Sequence, residues 1–165
     1  MTYETDQDRL FAAVLIEGTD QAADAWIASG PEGVVGRLHA ELNGEHRVPL
    51  PGGVHPRDVI DNLALASRLA GSAYPDEFLA AFPSSEWDGN SFVCSGLGAI
   101  RRPEATKRLM RLLGHHDKWV RIAAAAALQG HRHRALRSAL LAALDDPEDL
   151  VRYHVEERLS ELGDR

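Results

Sequence analysis

The chain has 165 residues, a formal net charge of −7, 44% apolar and 26% charged side chains, and a single cysteine, Cys94. That length suits one domain with a continuous core and is short for two independent ones, one cysteine excludes an internal disulfide, and no stretch nears the roughly 18 uninterrupted apolar residues of a membrane span. The acidic, polar opening residues lack the basic start and apolar run of a secretory signal, so the expected setting is cytoplasmic.

Apolar residues recur at three- and four-residue steps along nearly the whole chain, which predicts an all-α protein. Leu10, Phe11, Val14 and Leu15 mark a first helix over 8–17, stopped by Gly18, and Thr19 with Asp20 caps a second that runs to about 29. Gly30, Pro31 and Glu32 restart a helix whose apolar stripe holds Leu38 and Leu42. Residues 43–56 contain three glycines and three prolines and predict a loop, long enough to be either functional or a passive insertion. Helices resume over 57–70 and 75–82, and from about residue 87 the pattern becomes regular.

That regularity is a repeat of 31 residues. Leu97, Leu128 and Leu159 fall in register, Val120-Arg121 recurs as Val151-Arg152, and Leu109 and Leu113 recur as Leu140 and Leu144. Each unit reads as helix, turn, helix: 91–100 with 103–113, 119–129 with 134–144, and a last helix over 148–162. The small residues Ala123 to Ala127 allow neighbouring helices to approach closely. Glu156, Glu157, Arg158, Glu161 and Asp164 give the last helix a charged outer face, with Val155, Leu159 and Leu162 as its buried stripe.

The segment 146–152, Asp-Pro-Glu-Asp-Leu-Val-Arg, and its counterpart 115–121, His-His-Asp-Lys-Trp-Val-Arg, resemble the inter-repeat turn of the HEAT repeats, in particular the short bacterial, phycobilin-lyase-like form. The resemblance implies a short right-handed α-solenoid of stacked antiparallel helix pairs, in one domain over 1–165, regular over 87–162 and irregular over 8–82. It further implies a ladder in which Asp146 pairs with Arg152, with His115 replacing the aspartate one unit earlier. What such a stack offers is a broad surface for holding another protein.

Charge is segregated along the chain. Residues 1–100 carry 15 acidic and 5 basic side chains, 101–137 carry 2 and 10, and 138–165 carry 8 and 3. Arg101-Arg102 lies one period from Arg132-His133, so stacked repeats bring these pairs together, with His131 and Arg134 beside them, as a basic ridge. Lys107, Arg108, Arg111 and Arg137 extend the charge along the second helices. Such a ridge suits an acidic protein surface; solvated turn arginines are the bland alternative.

Other chemistry is weaker in the sequence. His115, His116, Asp117, His131 and His133 offer metal-ligand types, but adjacent turn histidines usually point apart, and no metal or other cofactor is expected. Cys94 sits on an apolar helix face, where a thiol is a small hydrophobe rather than a nucleophile. Trp26, Trp87 and Trp119 read as core or repeat-junction packing, with an exposed indole as a partner anchor the alternative. The expected function is a non-catalytic adaptor or regulatory protein, of inhibitor or immunity type, that binds an acidic partner and no membrane. The alternatives are a lyase-like enzyme or accessory subunit and nucleic-acid binding through 101–137.

Overall fold

In the computed structural model residues 3–163 are described, and among them the regular elements are helices throughout. The chain forms two compact units, Met1–Phe82 and Pro83–Arg165.

In the first unit, α1 spans Asp6–Glu17 and begins two residues earlier than the apolar pattern suggests. Thr5 supplies the reason: its Oγ accepts the Asp8 N–H while the Asp8 carboxylate accepts the Thr5 N–H, each at 3.1 Å. Gly18, at φ +60°, ends the helix in the left-handed region. Thr19 caps α2, Asp20–Ile27, and Trp26 on that helix is fully buried with its ring 5.1 Å from Phe11.

The next segment departs from a plain α-helix. Glu32–Gly36 forms one turn of π-helix before α3, Arg37–Asn43. The Trp26 indole N–H donates to the Gly33 carbonyl, and Gln7 lies against Gly33 so closely that a Cβ there would sit 2.5 Å from its Oε1. Insertion of a side chain into the helical ladder is one physical cause of such irregular turns. Gly44 to His55 form the expected non-helical connection, and α4, Pro56–Ala73, and α5, Pro75–Ala81, complete the unit.

The second unit opens with the short α6, Ser84–Trp87, and continues as helix pairs: α7, Ser91–Ala99, with α8, Pro103–Leu112; α9, Lys118–Ala127, with α10, Leu136–Ala142. The last helix, α11, is Asp149–Gly163. The first helices stack, α7 on α9 and α9 on α11. Leu97 and Leu128 are fully buried and Leu159 is half-buried. The small residues act as their sequence suggests, since a Cβ on Gly98 would lie 2.9 Å from that of Ala127 and 3.0 Å from the Ala127 carbonyl oxygen.

Arg158 corrects the reading of α11. It is 4% exposed, and its guanidinium donates to the His131 carbonyl on the preceding turn. Asp164 lies outside the described residues.

The inter-repeat ladder also differs from its expected pairing. Arg121 reaches forward to the Asp146 carboxylate through two bonds of 2.7 and 3.1 Å, and back to the carbonyls of His115 and His116 at 3.0 and 3.1 Å. Arg152 repeats the backward half only, donating to the Asp146 carbonyl and to the Asp149 carboxylate. The Asp146 carboxylate therefore serves the preceding repeat. A backward contact needs only a carbonyl, so His115 fills that place as well as an aspartate. No carboxylate is required at 115, because one period before Arg121 stands Asn90, which caps α7 by accepting the Phe92 and Val93 N–H groups.

Candidate functional site

The turns inside the repeats, between α7 and α8 and between α9 and α10, carry the basic residues. They are held in register by polar contacts that periodicity alone does not reveal. His131, 1% exposed, has Nε2 at 2.9 Å from the Gly98 carbonyl and Nδ1 at 2.8 Å from the Thr106 hydroxyl. Burial pushes its pKa down, and the cations of Arg101 and Arg158 push the same way, outweighing the opposing Gly98 hydrogen bond. The neutral imidazole thus donates through Nε2 to Gly98 and accepts the Thr106 hydroxyl at Nδ1. Arg101 donates to the Gln129 carbonyl across the same pair of turns.

Around this stitched core the predicted ridge residues divide into two groups. Arg101, Lys107, Arg132, Arg134 and Arg137 are exposed, and Arg102 and His133 are half-buried. Arg108 is turned inward, 7% exposed, with Nε on the Asp88 carboxylate. Arg111 shares that carboxylate at 2.8 Å while staying exposed. Arg108 is therefore a structural cation and Arg111 a half-neutralised one, because Asp88, one period before Trp119, sits where the chain enters the first full pair. Together the two arginines and Asp88 keep one net positive charge, carried to the surface by Arg111.

The family profile described as HEAT repeats matches residues 75–164. The chain belongs to the HEAT repeats. No curated protein and no solved structure matches it. HEAT repeats in general mediate protein–protein interaction or scaffolding. Among the described residues of this HEAT-repeat protein, no helix is long and apolar enough to cross a membrane, and no three His, Cys, Asp or Glu side chains converge as a metal would need.

The remaining candidates resolve as follows. His115 and His116 do not point apart: their rings lie 4.2 Å from each other, and His115 Nδ1 accepts the Asp117 N–H. Cys94 is fully buried, and burial pushes its thiol up to about 12, far from a nucleophile's range. Trp26 and Trp87 are core residues, but Trp119 is 60% exposed and so corrects the packing expectation. One period on, Leu150 is 52% exposed, and Tyr153 beside it is 58% exposed. These apolar groups sit at the starts of α9 and α11, at the opposite ends of the first helices from the basic turns.

The first unit holds a polar network that sequence reasoning did not find. Arg37 Nε donates to Asp8 at 2.8 Å, its Nη2 to Glu41 at 2.9 Å and its Nη1 to the His46 carbonyl at 3.1 Å. Glu41 accepts the Val48 N–H, and His46 Nε2 lies 3.1 Å from Asp8. Burial would raise the Asp8 pKa, but bonds from Thr5 and Arg37 and the charges of Arg37 and His46 hold it below the usual carboxylate range. This network ties the start of the 43–56 connection to α1 and α3. The available signal was the Thr5-x-x-Asp8 capping pattern. A cavity of about 570 Å³ adjoins it, rimmed by Glu4 and Glu32.

Proposed function

We propose that this HEAT-repeat protein is a non-catalytic adaptor or regulator that binds an acidic surface of another protein through the exposed edge formed by Arg101, Arg132, Arg134 and Arg137, with Arg102, Lys107 and His133 beside it. The observation that supports this is the exposure of these side chains on consecutive turns of the stack, while the inward-facing Arg108 and Arg158 are neutralised or bonded by the protein itself. Guanidinium groups fixed on a rigid scaffold bind carboxylates in paired, planar geometry and lose little freedom in doing so. Trp119, Leu150 and Tyr153 supply separate apolar contact area of the kind that anchors partners. The test is affinity capture with the wild type beside an Arg132→Glu/Arg134→Glu/Arg137→Glu variant, each with and without nuclease.

A further inference from the structure

The basic edge is not a smooth field. Between the two intra-repeat turns lies a cavity of about 420 Å³ lined by Arg101, Thr106, Gly130, His131 and Arg132. The cavity of the first unit and the one at the opposite edge of the repeats are lined by carboxylates, Glu4, Asp8 and Glu32 in one and Asp145 and Asp146 in the other. Among the described residues, no acidic side chain lines this one.

We propose that this cavity receives a single oxyanion, the phosphate or carboxylate of a partner side chain, between the guanidinium groups of Arg101 and Arg132. The proposal rests on the partner-binding reading and narrows it to one anchoring contact.

Four features converge on an anion. The two cations are permanent, because arginine does not lose its proton in the physiological range. Arg101 is already aimed: one nitrogen is tethered to the Gln129 carbonyl, and the rest of its planar fork is left to meet a ligand. Gly130 makes that placement possible, since it adopts φ +70° and a Cβ there would stand 3.0 Å from Arg101 Nη1. The floor is spoken for, with both His131 ring nitrogens and the Thr106 hydroxyl engaged, which leaves the two guanidinium groups as the charged lining.

A protein surface can offer such an oxyanion as a phosphorylated serine or threonine or as an aspartate or glutamate, and the two sources are separable. The experiment is a titration of the isotope-labelled full chain, followed through the Gly130 amide and the His131 ring, with inorganic phosphate, N-acetyl-phosphoserine methylamide and N-acetyl-aspartate methylamide. The expected result is saturable, ligand-dependent shifts at both positions, weakened about tenfold or more by Arg132→Gln and by Arg101→Gln. Saturation by the phosphoserine derivative alone assigns a phosphorylated partner, saturation by the aspartate derivative alone a carboxylate, and either supports the site. Absence of saturation with all three probes, or equal shifts in both variants, overturns it. The Arg134→Glu/Arg137→Glu variant leaves the cavity intact. If it loses partner capture while Arg101→Gln and Arg132→Gln retain it, the cavity proposal fails and the wider edge stands.

Discussion

Arg37 shows how much of the first unit depends on one side chain. It satisfies Asp8, Glu41 and the His46 carbonyl from a position 7% exposed, so truncating it leaves a carboxylate that is 2% exposed without its main counter-charge. Arg37→Ala should cost about 3 kcal/mol or more in urea unfolding, the range for breaking a buried pair from one side. His131 makes a prediction of a different kind. Its pKa is lowered on folding, so the neutral form's contribution to stability is fully present above its ordinary 6.5 and is lost as pH falls through that value toward the depressed one. The melting temperature should fall between pH 7.5 and pH 5, and His131→Gln should flatten that dependence while lowering stability at pH 7.5. An unchanged slope in the variant would remove His131 from the account. Neither residue was legible as structural from spacing: one period before His131 is Ile100 and one before Arg158 is Ala127, so the repeat carries no signal for the polar stitch they make. Cys94 was legible, because its apolar neighbours alone place it inside.

At the scale of elements, the ladder between repeats separates two arginines that look equivalent in sequence. Arg121 makes four bonds, two of them charge-assisted to Asp146, whereas Arg152 bonds one carbonyl and the exposed carboxylate of Asp149. Arg121→Ala should lower unfolding free energy by roughly 2 kcal/mol, and Arg152→Ala by less than half of that. Equal losses would mean that the forward bond to Asp146 has no special weight. The helices of the repeats were readable to within a few residues because apolar period, proline starts and Asn or Asp caps agree there. They failed where a local bond outvotes apolar spacing: Thr5 starts α1 early, and α10 begins at Leu136 because the His133 ring accepts the Ala135 N–H in a turn that delays the helix. The π-helical turn at Glu32–Gly36 was invisible in the apolar spacing, and the contacts of Trp26 and Gln7 with Gly33 that accompany it are tertiary.

For the molecule as a whole, a strict 31-residue repeat in half of the chain is what made the family readable, because each repeat is one supersecondary unit that buries its face only against the next. The first unit lacks that period, and its organisation rests on the Asp8 and Arg37 network, which joins residues 29 apart in sequence. The candidate site was half legible. Charge segregation located the turns that carry the exposed cations, but it could not separate the exposed Arg132, Arg134 and Arg137 from the inward-facing Arg108, since a helix face is assigned by neighbours that spacing only partly defines. The measurement that most directly tests binding at this edge is the paired capture with wild type and the Arg132→Glu/Arg134→Glu/Arg137→Glu variant, at matched helical content and melting temperature. The account predicts a protein retained by the wild type through nuclease treatment and lost from the variant; equal recovery by both, or material that disappears with nuclease, would contradict it.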